Sequence, residues 1–228
     1  MLDARMRETL SPVLTRAGTR LAAAGVPPAA LTGAGWAAGA GACAATAFHA
    51  WPAALGLWLA NRVLDGLDGP TARAAGKATE AGGFLDIVAD FSVYAGIVLG
   101  LAVAVPGARL ACVALLTAYY VSGTAFLALS SLAERRGAPL GDERSLRFIG
   151  GLAEGTETVI VYTLLFLLPG RATVIVWAFT AAVAVTAGQR VIAGLRLLRV
   201  PAIAGQAGGP SGGARPGAVS VPRRGTAA

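Results

Sequence analysis

The chain has 228 residues, of which 55% are hydrophobic and only 14% are charged, and its mean hydropathy is +0.65. A soluble protein with so few charges has too little polar surface to cover itself, and disorder of the whole chain requires the opposite composition. The chain has a net charge of +7, and the positions of its basic residues are used below to predict the membrane orientation. We expect no nucleic-acid partner. The composition therefore predicts an all-α integral membrane protein.

Residues 1–28 form the first predicted unit. Apolar residues recur at helical spacing from Leu2 to Leu21, and the arginines lie mostly on other faces. The stretch has no continuous apolar core of the kind that a secretory signal requires. It is typical of a cytoplasmic amphipathic helix that lies on the membrane surface next to the membrane domain. A helix that binds a partner protein is the weaker alternative.

Residues 29–200 form the predicted membrane domain, with six apolar segments that are each about long enough to span a bilayer. The first segment consists mostly of Gly and Ala, which predicts close helix packing rather than lipid contact. The remaining residues, 201–228, are a basic mixture of Gly, Pro, Ala and Arg without periodicity, which predicts a disordered tail. The six segments are Leu31–Ala47, Trp51–Arg73, Gly82–Val105, Ala108–Leu132, Phe148–Leu168 and Ala172–Leu198.

The distribution of basic residues predicts the orientation. Six spans place both termini on one side, and with that side in the cytoplasm only Arg109 and Arg171 of the 19 Lys and Arg residues lie outside. Cytoplasmic loops of membrane proteins carry an excess of Lys and Arg. We therefore expect a multi-pass protein of the cell (inner or plasma) membrane with cytoplasmic N and C termini.

Four of the six aspartates lie between positions 65 and 90, at the predicted cytoplasmic ends of the second and third spans. Asp65 and Asp68 are three residues apart and share a helical face, and so do Asp86 and Asp90, four residues apart. A short turn between the two spans would make them antiparallel neighbours, so that four carboxylates converge on one pocket. Because such carboxylates repel one another, and because Mg²⁺ and Mn²⁺ prefer oxygen ligands, the pattern predicts a metal–phosphate site at the membrane surface.

These residues also form a recognisable motif. Positions 65–73 are D-G-L-D-G-P-T-A-R and, after eight residues, positions 82–90 are G-G-F-L-D-I-V-A-D. The pattern resembles the signature of the CDP-alcohol phosphatidyltransferases, D-x-x-D-G-x-x-A-R followed by G-x-x-x-D-x-x-x-D, with every fixed position filled. The resemblance implies six transmembrane helices, a juxtamembrane helix, a homodimer and an active site at the cytoplasmic face.

The resemblance also implies a reaction, in which a phosphatidyl or related phospho-alcohol group passes from CDP-diacylglycerol, or a related CDP-linked lipid, to a small alcohol and CMP is released. The resemblance further implies that two metal ions, Mg²⁺ or Mn²⁺, are bound by Asp65, Asp68 and Asp86. Asp90 is the general base and shares in metal binding. The residues expected to line the nucleotide and phosphate pocket are Gly69, Ala72, Arg73 and Gly82.

The acceptor alcohol is not identified by the motif. Arg144, Arg147 and Arg190 are candidates for binding a phosphorylated acceptor. Glu154 and Glu157, three residues apart on one helical face, are candidates for binding an amine or sugar hydroxyls. Pairing of these glutamates with an arginine, as a purely structural feature, is an equal alternative. Polyol and amino-alcohol acceptors both remain open.

A transporter that moves cations or protons past the aspartates is the rival hypothesis. Transporters commonly carry such acids near the middle of the bilayer, on broken helices in repeated halves. Here the aspartates gather at one membrane face and the two halves show no matching repeat. The pattern therefore favours the transferase.

Overall fold

The computed structural model describes residues 2–135 and 155–199. Every regular element in this part of the chain is helical, and short 3-10 turns at Pro106–Ala108 and Pro169–Arg171 precede two of the helices. The prediction of an all-α fold is therefore confirmed. The seven helices are α1 (Leu2–Ala23), α2 (Pro28–Ala47), α3 (Trp51–Ala74), α4 (Glu80–Ala104), α5 (Arg109–Arg135), α6 (Gly155–Leu167) and α7 (Ala172–Arg199).

The predicted apolar segments agree closely with α2 to α7. Residues 148–154 of the fifth segment and the predicted tail, 201–228, lie outside the described residues. Among the residues described, the stretches long and apolar enough to span a membrane are Glu80–Ala104, Pro106–Leu132 and Pro169–Arg196, and Gly155–Leu167 is a shorter apolar helix. Large apolar side chains such as Leu110 and Val174 are exposed on the outside of the bundle, as expected where lipid is the solvent. The number of six spans stays a prediction.

Helices α3 and α4 are antiparallel, as predicted, because Trp58 meets Tyr94 while Arg62, further along α3, meets Asp90, which is earlier on α4. Their backbones pack mainly against α2 rather than against each other.

Gly76 takes a positive φ of 64° just after α3 ends, a conformation that glycine adopts without steric cost. Thr79 caps the N-terminus of α4, where its side-chain oxygen accepts a hydrogen bond from the backbone N–H of Gly82 at 3.1 Å. The turn therefore brings the two halves of the aspartate motif face to face.

Helix α2 packs against both α3 and α4, and its small residues allow a close approach. A Cβ atom added to Gly100 of α4 would lie 2.6 Å from the carbonyl oxygen of Cys43 on α2. Such a distance is well inside van der Waals contact, so only glycine fits there. On α2 itself, a Cβ atom added to Gly39 would collide with the side chain of Val93 on α4. The prediction that the Gly- and Ala-rich segment serves close helix packing is therefore confirmed.

This contact gives a first testable prediction. Gly100→Leu should destabilise the protein by about 1–3 kcal/mol, because the backbone of α2 has to move away from α4 to admit the side chain. Thermal unfolding in detergent measures the effect. Gly56→Leu on α3 is the matched control, since a Cβ at Gly56 meets no atom within 4 Å. Equal melting temperatures for the Gly100→Leu variant and the native protein would contradict the close packing.

Helix α1 is continuous through Pro12 and packs against α3. A Cβ on Gly18 would lie 2.8 Å from the backbone nitrogen of Thr71, and Leu14 lies against Gly66. The helix therefore lies directly behind the part of α3 that carries the first half of the motif. Its location on the membrane surface stays a prediction.

The interior of the bundle holds a cluster of aromatic side chains. Trp58 of α3 and Tyr162 of α6 are completely buried, with ring centroids 5.3 Å apart, and Tyr94 of α4 packs edge-on against both. The Tyr162 hydroxyl donates a hydrogen bond to the backbone carbonyl of Tyr94 at 3.0 Å. This cluster packs α6 against α3 and α4, next to the aspartate-bearing parts of those two helices.

Candidate active site

The four predicted aspartates meet at one small cavity between α2, α3 and α4. Asp65 and Asp68 reach it from α3, and Asp86 and Asp90 reach it from α4. The convergence arises because each pair shares a helical face and the turn at Gly76 brings the two faces together. The remaining lining residues are Thr32, Gly35, Trp36, Asn61 and Ala89.

Asp68 is held by a residue that the sequence analysis did not identify. Its side chain is buried, with 8% of the residue exposed, and Oδ2 accepts a hydrogen bond of 2.8 Å from the hydroxyl of Thr32 on α2. A buried carboxylate oxygen needs a partner of this kind to offset its lost hydration. Nothing in the local sequence pattern links Thr32 to Asp68, because the two residues lie on different helices.

The Thr32 hydroxyl provides a second prediction. Thr32→Val keeps the shape of the side chain but removes the donor to Asp68. It should lower the CMP release that the motif implies by about 10- to 100-fold, the usual effect of losing a hydrogen bond to a metal ligand, which is the role expected of Asp68. Thr32→Ser retains the hydroxyl and should keep most of the activity. If the Val variant matched the native rate, the hydrogen bond would have no role in activity.

Arg62 is the second site residue that the sequence analysis missed. Its Nη2 donates to Oδ1 of Asp90 at 2.6 Å, and its Nη1 lies 3.6 Å from Oδ2 of Asp65. The side chain is only 12% exposed. A signal was present in the sequence, because Arg62 precedes Asp65 by three residues and so shares its helical face. The distribution of basic residues alone indicates only that Arg62 lies near the cytoplasmic side.

The carboxylates supply the oxygen donors that divalent cations prefer. Oδ1 of Asp86 is buried and has no hydrogen-bond partner among the residues described, so one acceptor is left for a ligand. Within residues 2–135 and 155–199, no three acidic, His or Cys side chains are already arranged around one point as ligands. Asp68 and Asp90 are instead bonded to Thr32 and Arg62. The four carboxylates are therefore chemically suited to bind a divalent cation. In this structure, however, Asp68 and Asp90 already accept hydrogen bonds from other side chains.

A larger cleft of about 780 Å³ adjoins the small cavity and shares Thr32, Asp68 and Asp86 with it. Its volume lies in the range of pockets that bind small molecules and cofactors. Lys77 and Thr79, from the turn between α3 and α4, also border the cleft. All four residues predicted to bind the nucleotide line it: Gly69, Ala72, Arg73 and Gly82.

The predicted acceptor residues are placed only in part. Arg144, Arg147 and Glu154 lie outside the described residues. Arg190 of α7 donates to the Ser122 hydroxyl at 2.7 Å and lies over the ring of Phe126, and Glu157 lies in the first turn of α6. In the part of the chain that the structure describes, the lining of the two cavities includes neither Arg190 nor Glu157.

Comparison with known proteins agrees with the motif. The sequence model of the CDP-alcohol phosphatidyltransferase family matches residues 26–188. Inner membrane protein YnjF of Escherichia coli (strain K12) is 40% identical over 172 residues, which cover 74% of this chain and 83% of that protein. The family match begins just before α2 and includes every residue of both cavities.

The fold is also similar to a solved structure. It matches the crystal structure of Mycobacterium tuberculosis phosphatidylinositol phosphate synthase (PgsA1) with CDP-DAG bound. The match has a TM-score of 0.62 and 22% sequence identity, and it covers 80% of this chain and 94% of that chain. At this identity the likeness establishes the helical membrane fold. With the family match and the aspartate motif on α3 and α4, it leads to one assignment: the chain belongs to the CDP-alcohol phosphatidyltransferase family and is a membrane enzyme of that class.

Proposed function

We propose that this enzyme transfers a phosphatidyl group from CDP-diacylglycerol to a small alcohol, with release of CMP, in phospholipid biosynthesis. The observation that carries the proposal is the pair of adjoining cavities, in which four aspartates border the smaller one and the predicted nucleotide residues line the larger one. The CDP-DAG bound to the structurally similar synthase supports the choice of donor. Membership in an enzyme family decides against the transporter hypothesis.

In this proposal the larger cleft binds the nucleotide part of the donor, and the smaller cavity holds the metal ions. The cytidine and phosphates occupy the cleft bordered by Gly69, Ala72 and Gly82, where the absence of long side chains leaves room, and Arg73 supplies positive charge beside the phosphates. Asp65, Asp68 and Asp86 would hold Mg²⁺ or Mn²⁺, two ions in all. When bound, such cations would supply positive charge that stabilises the negative charge on the pyrophosphate and on the leaving group.

Asp90 acts as the general base in this proposal. Its carboxylate accepts the proton of the acceptor hydroxyl while the hydroxyl oxygen forms a bond to the lipid-side phosphorus. The bond between that phosphorus and the oxygen of CMP breaks, and CMP leaves with the electron pair. Arg62 fixes one oxygen of Asp90, at 2.6 Å, and so limits the directions in which the carboxylate can face.

We further propose a protein of the cell (inner or plasma) membrane with cytoplasmic termini and a cytoplasmic active site, which acts as a homodimer. The basic residues near the predicted cytoplasmic ends support this orientation. The name of the Escherichia coli relative supports the choice of membrane. The homodimer rests on the family resemblance.

The test is CMP release by purified protein in nanodiscs that contain CDP-diacylglycerol and Mg²⁺ or Mn²⁺. The acceptor panel comprises glycerol 3-phosphate, inositol phosphate, inositol, serine, ethanolamine and choline, so that phosphorylated, polyol and amino-alcohol acceptors are all represented. Metal-dependent release with one of them, lost in Asp68→Asn, would support the proposal and identify the product. A folded protein that does not bind CDP-diacylglycerol would contradict it, and cation flux would then be measured.

A further inference from the structure

Arg62 is a nearly buried cation at the centre of the site. Its guanidinium carbon lies 4.8 Å from the centroid of the Trp58 ring and 5.1 Å from that of the Tyr94 ring. The two aromatic faces and the surrounding helices leave the side chain only 12% exposed. Burying a charge is costly unless hydrogen bonds and opposite charges compensate for the lost water, so the partners of Arg62 indicate what it does.

The guanidinium group directs each of its nitrogens at an acceptor. Nε and Nη2 donate to Oδ1 of Asn61 at 2.9 and 2.7 Å, Nη1 donates to the Tyr94 hydroxyl at 2.8 Å, and Nη2 donates to Asp90 at 2.6 Å. Asn61 is itself anchored by a hydrogen bond from its Nδ2 to the backbone carbonyl of Gly35. The network joins α2, α3 and α4 and uses the planar fork that only arginine provides.

The same group also lies between the two halves of the aspartate motif. It contacts Asp65 of α3 at 3.6 Å and Asp90 of α4 at 2.6 Å. A positive charge at this position reduces the repulsion between the carboxylates, and for the same electrostatic reason it opposes the binding of another cation beside them. The Tyr94 hydroxyl, 3.4 Å from Oδ2 of Asp90, contacts the second oxygen of the same carboxylate.

We propose that Arg62 is a built-in counter-cation and positioning residue of the aspartate site. Its fork fixes the Asp90 carboxylate relative to α3, and its charge sets a lower affinity for divalent cations than four uncompensated carboxylates would have. Arg62 acts through the Asp90 carboxylate rather than on the substrates. The part concerning reaction rate rests on the proposed function, whereas the part concerning cation affinity does not.

Two substitutions separate the charge of Arg62 from its shape. Arg62→Met removes the charge, so Mn²⁺ should bind about tenfold more tightly to the substrate-free protein, as measured by electron paramagnetic resonance. Arg62→Lys keeps the charge but loses the fork, so its Mn²⁺ affinity should stay within about twofold of the native value. In both variants kcat for CMP release should fall by about 10- to 100-fold, with a smaller change in KM for CDP-diacylglycerol, because Asp90 is no longer held in place.

Arg109→Met is the control for loss of a positive charge, since Arg109 is exposed and bonds the carbonyl of Ala102, away from the site. Both readouts should be unchanged in that variant. Unchanged or weaker Mn²⁺ binding by Arg62→Met would overturn the proposal, and so would a native kcat in either variant. Weaker Mn²⁺ binding and a lower melting temperature in both Arg62 variants would show a merely structural role and would overturn it as well. If the native protein released no CMP but Arg62→Met still bound Mn²⁺ more tightly, the counter-cation role would be supported and the proposed reaction would fail.

Discussion

Replacing Asp90 by Asn should reduce kcat for CMP release by about 10²- to 10⁴-fold, the usual contribution of a general base. The amide has nearly the same shape as the carboxylate, so it can still accept the hydrogen bond from Arg62, but it cannot take the proton of the acceptor hydroxyl. The measurement is steady-state CMP release in nanodiscs with the acceptor found in the panel. The KM for CDP-diacylglycerol should change much less than kcat, because the nucleotide cleft does not include Asp90.

The matched control is Asp3→Asn, which removes a carboxylate from the N-terminal end of α1, far in sequence from the motif. This variant should retain native activity and native melting behaviour. If Asp90→Asn kept more than about a tenth of the native kcat, Asp90 would not be the base. A large rise in KM for CDP-diacylglycerol with unchanged kcat would point to donor binding instead.

The second large effect concerns stability. Trp58→Ala should destabilise the protein by about 3–5 kcal/mol, because the ring is completely buried and its removal leaves a cavity between α3, α4 and α6. Lipid tails are as apolar as the ring, so the loss arises from packing contacts rather than from contact with water. Thermal unfolding of the two purified proteins in detergent measures the difference in stability.

Trp177→Ala is the corresponding control on α7, where the tryptophan is 43% exposed on the outside of the bundle. Its loss should lower the melting temperature far less than the loss of Trp58. A comparable decrease for the two variants would contradict the arrangement of the aromatic cluster. The Trp58 variant should also lose activity below its melting temperature, because the ring supports the guanidinium of Arg62.

Much of the architecture follows from local features of the chain. Hydropathy locates α2 to α7, because each of them lies in a long, mostly apolar segment of the sequence. The eight residues between the two halves of the motif allow only a short turn, to which the structure adds the positive φ of Gly76 and the cap by Thr79. The spacing of the aspartates decides which of them share a face, since an α-helix repeats every 3.6 residues. These features were sufficient to predict that four carboxylates meet.

The partners of those carboxylates were not accessible to the same reasoning. Thr32 bonds Asp68 across 36 positions in the chain, and Arg62 bonds Asp90 across 28. Contacts between residues so far apart depend on how closely and at what rotation the helices pack, and no local period reports either quantity. The spacing of the aspartates along the sequence was therefore enough to predict that four carboxylates lie together on α3 and α4. Only the packing of α2, α3 and α4 decided that a threonine and a buried arginine hold that charge in place, because side chains on separate helices meet only once the helices are packed together.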